Sequence, residues 1–274
     1  MEYIFEHTIP SEKNLQLYSQ LLSLVFPETK KYSVDFLNWQ YNLNPSGKVV
    51  GYDAFYDGEL AAHYVTIPVV YTMKGEQIKG LLSLNTATHP KHQGKKLFTQ
   101  LAEKTYAYAQ QQDYQFVIGV ANKNSTHGFT TKLGFELIAS LQVTMYLGKT
   151  TLCEAPQNYF QANWPKELIN WRLANPSATY FTNNNTVVCN THIYFIKAVL
   201  SQKSGFEKNA LPRKGALVKM TIGLNLDTKK FLKINLPDKY KPSPLNLILK
   251  PLGNFNLEIN KTNLFFELID FDAY

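Results

Sequence analysis

The chain has 274 residues, 45% hydrophobic and 14% aromatic, which is enough for one large or two small packed domains. It has no run of about 18 apolar residues and its first residues lack the basic and apolar segments of a secretion signal, so a spanning helix is excluded and a soluble cytoplasmic protein is expected. Two cysteines outside any C-x-x-C pair argue against a disulfide scaffold or a structural metal, and the net charge of +7 favours an anionic partner.

The first 45 residues read as two helices. One starts at a Ser11 cap and carries Leu15, Tyr18, Leu22 and Val25 at helical spacing until Pro27; the other runs from Ser33 to about Tyr41 and stops before Asn44-Pro45-Ser46-Gly47. From Val49 the pattern changes to β-branched and aromatic runs, giving strands over 49–56, 60–72 and 76–88 joined at Asp57-Gly58 and Lys74-Gly75. Pro68 suggests a bulge in the middle strand. A helix from Gly94 to about Gln111, a strand from Tyr114 to Val120, a helix from Ser125 to Leu133 and a strand from Phe135 to Leu147 follow.

The stretch around Glu154-Ala155-Pro156-Gln157 reads as a linker, which divides the chain into residues 1–150 and a smaller half, 151–274. Glu167-Leu168-Ile169-Asn170-Trp171-Arg172 with Asn175-Pro176-Ser177 echoes Asp35-Phe36-Leu37-Asn38-Trp39-Gln40 with Asn44-Pro45-Ser46. A diverged internal repeat is therefore expected, because a helix-turn-strand corner needs the same capping and packing residues each time it is built. The second half should be a mixed α/β layer with strands over 178–182, 186–199, 215–224, 244–251 and 262–270 and a short helix near 227–234.

The chemistry concentrates in two stretches. In Asn85-Thr86-Ala87-Thr88-His89-Pro90-Lys91-His92-Gln93-Gly94-Lys95-Lys96-Leu97-Phe98 a strand runs through a loop into a helix. The amides of a first helical turn have no internal partners and the helix dipole is positive there, so a diphosphate fits; Gly94 lets the backbone come close and Lys95 and Lys96 add charge. The second stretch, Ala121-Asn122-Lys123-Asn124-Ser125 to Lys132-Leu133-Gly134-Phe135, is a loop, a helix and an exit into a strand.

Together these stretches resemble the two signature motifs of the GNAT superfamily, over roughly residues 32 to 148. The resemblance implies an α/β fold of the α+β type, with a mixed, mostly antiparallel sheet flanked by helices and splayed between its fourth and fifth strands, followed by a smaller half, GNAT-like or shaping the acceptor site. It also implies acetyl-CoA as cosubstrate, with the pantetheine along Thr86, Ala87 and Thr88, the diphosphate on the amides of Gln93, Gly94, Lys95, Lys96, Leu97 and Phe98, and Asn122, Ser125 and Phe129 at the mouth of the splay. The chain departs from the family pattern in Lys96 and Phe98, where small residues are usual, and in Thr130 and Thr131, where many members have a tyrosine.

The implied reaction is attack of a primary amine of a small molecule on the thioester, the acceptor being an amino sugar or a nucleotide-linked amino sugar. No metal is required. A base helps, since an alkylamine with a pKa near about 10 is mostly protonated at neutral pH. His63 is the first candidate, Asn85 lies on the splayed strand, Tyr146 can supply a hydroxyl, and Asp270, Asp272 or the terminal carboxylate is a second-rank base. Two other readings stay open: an aminoacyl-tRNA-dependent transferase with two GNAT-like halves, and a catalytically inactive acyl-CoA-binding module. Nucleic acid is not favoured, because the lysines are scattered.

Overall fold

The computed structural model describes residues 2–147, 155–183, 186–191, 193, 195–201, 218–226, 232–237, 241, 243–253, 255 and 258–271. Both expected caps are in place. The Ser11 hydroxyl accepts from the Asn14 amide at 3.3 Å and opens helix α1, Glu12–Val25, which buries Leu15, Tyr18, Leu21 and Leu22. The Ser33 hydroxyl accepts from the Phe36 amide and opens α2, Val34–Asn42. The two helices pack together on one face of the first sheet through Leu22, Phe36, Leu37 and Tyr41, against Val65 and Ala87.

That sheet begins with β1 (Ile4–His7), β2 (Val50–Tyr56), β3 (Glu59–Met73) and β4 (Glu76–Thr88), all antiparallel neighbours. Asp57-Gly58 and Lys74-Gly75 both take positive φ at their two residues, the form that matches the twist of a tight hairpin. The expected bulge at Pro68 is absent. Pro68 runs in register with Leu81, and its carbonyl accepts from the Asn44 side chain, so its backbone groups face away from β4 and no ladder bond is lost. The break in register lies instead between His63 and Val65, which pair with Ala87 and Leu84, so that Asn85 and Thr86 together face Tyr64; Asn85 has φ +44°.

Helix α3 (Leu97–Gln111) covers the opposite face and leads into β5 (Phe116–Ala121). Strands β4 and β5 run parallel and pair only from Gly80–Ser83 to Phe116–Gly119, after which they part. Gly80 is required at the start of this pair, since a Cβ there would lie 2.1 Å from the Phe116 ring. Next comes α4 (Lys123–His127), which passes into a π-helical turn over Gly128–Lys132 in place of a plain helix to Leu133.

The strand expected over 135–147 divides at the buried Leu141 into β6 (Glu136–Ser140) and β7 (Gln142–Leu147), which belong to different sheets. An alternating pattern specifies which side chains are inward and says nothing about which strand lies alongside. The second half supplies β8 (Gln161–Ala162), α5 (Lys166–Leu173), β9 (Tyr180–Asn183), β10 (Thr186–Asn190), β11 (Ile196–Ser201), β12 (Val218–Leu224), β13 (Lys233–Asn235), β14 (Asn246–Pro251) and β15 (Phe266–Glu267). The expected strand 186–199 thus divides at a turn held by the Thr191 hydroxyl. Lys233 and Ile234, expected to end a helix, are extended against β7, residues 227–231 lie outside the described residues, and the strand 262–270 shrinks to β15 and a 3₁₀ turn over Leu268–Asp270.

The sheets read β2-β3-β4-β5-β14-β6 and β9-β10-β11-β12-β7-β13, with β1 added to the first and β15 to the second. Position by position they correspond, including the parallel pairs β4–β5 and β11–β12. Each half therefore gives a strand to the other's sheet order: β7 crosses into the second sheet and β14 into the first, where β8 also pairs with β3. The repeat is visible at its centre. Trp39 and Trp171 stack at 4.6 Å and 12°, and each indole N–H donates to the other's backbone carbonyl, at 2.7 and 2.9 Å. Such mutual contact is that of a two-fold axis. A shared core of Tyr71, Phe116 and Phe160 with Val187, Leu200 and Ile222 joins the sheets.

Candidate functional site

Where β4 and β5 part, a cleft of about 760 Å³ opens through the first sheet. Its strand walls are Ser83 to Thr86 on one side and Gly119 and Val120 on the other, with Ile248 of β14 behind. The gap-facing edge of Thr86 to Thr88 carries no strand, because β5 pairs no further than Ser83. Successive side chains on β4 point to opposite faces, so the cleft has two sides. Ser83 bonds the Tyr64 hydroxyl at 2.9 Å on the α3 side. Leu84 faces α1 and α2, where Phe26, Lys31 and Tyr32 from the connecting loop and Phe271 from the chain's end complete the wall.

The α3 side has the features of an anion site. His89 caps a 3₁₀ turn over Pro90–His92, and Gly94, at φ +76°, has open space where a side chain would stand. Lys96 sits at the N-cap of α3 in the left-handed region, and no side chain caps the helix. The amides of its first turn are thus left for a ligand, with no acidic residue in that turn to compete. Gln93, Gly94, Lys95 and Lys96 are exposed and Leu97 is buried. Phe98 borders the cleft. Its ring meets Phe129 edge-on at 5.2 Å and lies against Gly128, where a Cβ would come within 3.1 Å. The large residue is accommodated because its neighbour has no side chain.

At the mouth, Asn122 and Ser125 form a reciprocal capping box: the Asn122 side chain accepts from the Ser125 amide at 2.9 Å, and the Ser125 hydroxyl accepts from the Asn122 amide at 3.1 Å. Both line the cleft, with His127 and Lys132 beside them. Counting Lys31, the wall has three basic side chains and, among the described residues, no carboxylate. These residues fit a molecule with a strand-like arm and a diphosphate.

His63 does not border the cleft. It is fully buried, stacked on Tyr18 at 4.3 Å, with Nδ1 2.6 Å from Asp53 Oδ1 and Nε2 2.9 Å from the Tyr41 hydroxyl. The Tyr41 oxygen accepts in turn from the Asn85 amide at 3.0 Å, and Gln40 Oε1 accepts from the same amide at 2.6 Å. Tyr18 donates to Asp53 Oδ2, and burial, reinforced by the Asp53 charge, holds its hydroxyl well above the usual phenol range. Tyr64 is likewise pushed up to about 12 by burial, against the downward pull of its bonds to Ser83 and Tyr106.

The structure brings Asn85, Thr86, Phe98, Asn122, Ser125 and Phe129 together on the cleft and places Ala87 and Thr88 on the strand that borders it. Tyr146 stands elsewhere, buried on β7 in the second sheet. Asp270 is buried under the Trp164 indole, which donates to it at 2.7 Å, and Asp272 and the terminus lie outside the described residues. Sequence reasoning missed Phe26, Lys31, Tyr32, Tyr41 and Asp53. Only Asp53 left a signal, as a carboxylate inside a strand, where aspartate is depleted.

The model of the acetyltransferase (GNAT) domain matches residues 9–138. No curated protein sequence matches the chain. Among solved structures it is similar to a conserved Enterococcus faecalis protein identified as a probable N-acyltransferase, with TM-score 0.64 and 8% identity over 92% of this chain and 73% of that one. GCN5-related N-acetyltransferases from Anabaena variabilis (TM-score 0.59, 12% identity, 90% and 72% covered) and Kribbella flavida (TM-score 0.59, 8% identity, 91% and 72% covered) are also similar. At such identities the likeness is one of fold. Motif, cleft and matched domain agree: residues 9–138 match the GNAT acetyltransferase domain, and the fold of the chain is similar to that of GNAT proteins.

Proposed function

We propose that the protein moves an acetyl group from acetyl-CoA to the primary amine of a small molecule by direct attack on the thioester. The observation that carries this is the parting of β4 and β5 after Ser83 and Gly119, which opens a cleft reaching the uncapped start of α3. Acetyl-CoA supplies the activated acetyl group. The bulge at Asn85 and Thr86 frees backbone groups next to the gap, where they can donate to the thioester oxygen as negative charge develops on it. The amides at the start of α3, with Lys95 and Lys96, hold the diphosphate.

The acceptor enters from the α1–α2 side. Phe26, Tyr32 and Phe271 offer aromatic faces for a sugar or base ring, and Lys31 offers charge for a phosphate, which suits an amino sugar or a nucleotide-linked amino sugar. Purified protein should release free thiol from acetyl-CoA when amino sugars and nucleotide-linked amino sugars are added. Failure to release thiol with any member of a broad amine panel would leave the chain a binding module.

A further inference from the structure

The buried groups behind Asn85 form one chain with a single direction. Asp53 is almost fully buried and both its oxygens are taken by donors, Oδ1 by Thr8 and His63 and Oδ2 by Tyr18, which is the arrangement of an ionised carboxylate. A carboxylate can only accept, so His63 carries its proton on Nδ1. In the neutral imidazole Nε2 is the acceptor, and it accepts from the Tyr41 hydroxyl. The Tyr41 oxygen accepts from Asn85, whose second amide hydrogen goes to Gln40. Both N–H bonds of the Asn85 amide are thus directed inward, and its carbonyl oxygen bonds no described residue on a side chain that lines the cleft.

We propose that Asp53, His63 and Tyr41 are positioning residues that turn the Asn85 carbonyl into the cleft, where it accepts a hydrogen bond from the amine of the acceptor. The proposal rests on the N-acetyltransferase reading above. It gives Asn85 the contact with substrate and explains why a histidine with no exposed surface is kept beside the bulge: the imidazole passes on the polarity that the carboxylate sets. An asparagine at 53 can offer N–H to Nδ1, which moves the ring proton to Nε2. With Nε2 now donating to its oxygen, the Tyr41 hydroxyl turns away from His63 and toward Asn85, and the amide turns over, presenting NH₂ where the amine needs an acceptor.

Selective ¹⁵N-asparagine labelling reads this directly, with the Asn85 side-chain signal identified by its loss in Asn85→Asp. In the wild type its amide protons should exchange slowly with water. Asp53→Asn should speed that exchange at least tenfold, and so should Tyr41→Phe, which deletes one oxygen and carries the test if the Asp53 variant does not fold. With the amine found best in the thiol-release panel, both variants should raise the acceptor KM about tenfold and leave the acetyl-CoA KM within twofold. The double variant should rise no further, because both act through one amide. Unchanged exchange in both variants overturns the proposal, as does faster exchange with an unmoved acceptor KM. A wild type that acetylates no amine refutes the enzymatic reading and this contact with it, while the exchange rates still decide the direction of the chain.

Discussion

The two halves share a topology and differ at the one place where it matters. In the first, β4 and β5 part beyond Ser83 and Gly119 and the gap is left open. In the second, the parallel pair β11–β12 also ends early, at Ala198 and Met220, but the chain's own C-terminal segment fills the place. Gly223 and Leu224 pair with Glu267 and Phe266, and the Ser201 hydroxyl donates to the Glu267 carboxylate at 3.0 Å. A Cβ on Gly223 would lie 2.3 Å from the Phe266 carbonyl, so that segment is closely fitted. The same fold corner is thus a ligand cleft or a piece of core depending on whether a strand occupies the splay. The segment that closes one gap also places Phe271 on the wall of the other.

If the exchanged strands and the tryptophan pair make the halves one cooperative unit, the largest effect should come from breaking that pair. Trp39→Ala should cost about 3–5 kcal/mol in urea unfolding and keep a single transition, because a buried indole is lost at the joint. Trp39→Phe keeps most of the apolar contact and loses the bond to the Trp171 carbonyl, at about 1 kcal/mol. Two transitions, or a cost under about 1 kcal/mol for the alanine variant, would mean that the halves are merely tethered.

Alkali should destabilise this unit more gently. Burial raises the pKa of Tyr18, Tyr64, Tyr71 and Tyr106, all in the first half, above the ordinary value of 10.0, with Tyr64 near 12. A phenol held neutral in the folded state contributes stability that is complete below the unfolded pKa of 10.0 and is lost as pH rises through the folded one. The melting temperature should therefore be flat from about pH 7 to 9 and fall beyond about pH 10. Replacing Tyr64 with Phe should make that fall shallower. An unaltered slope would remove Tyr64 as a contributor.

Local chemistry was readable in the sequence, and partnership was not. Ser11 and Ser33 as caps and Asp57-Gly58 and Lys74-Gly75 as hairpins each depend on a few adjacent residues and stand where their residue types imply, whereas the helix expected from Gly94 starts at Leu97, after Lys96 in the left-handed region. The exchange of β7 and β14 leaves no mark, because period-two alternation is the same whichever sheet receives the strand. His63 and Asn85 were legible as residues of interest. Their roles were hidden, since Tyr41 and Asp53 come from a helix and another strand and meet them only after folding. Tyr146 shows the converse error: a tyrosine near the motif in sequence is carried into the second sheet by its strand.

The account depends on one open splay per chain. Calorimetric titration with acetyl-CoA measures this directly: one molecule should bind per chain, and Gly94→Glu, which adds a strained side chain and a negative charge where the diphosphate belongs, should weaken binding at least a hundredfold, about 2.7 kcal/mol. Two bound molecules per chain, or full affinity in the Gly94→Glu protein, would contradict it.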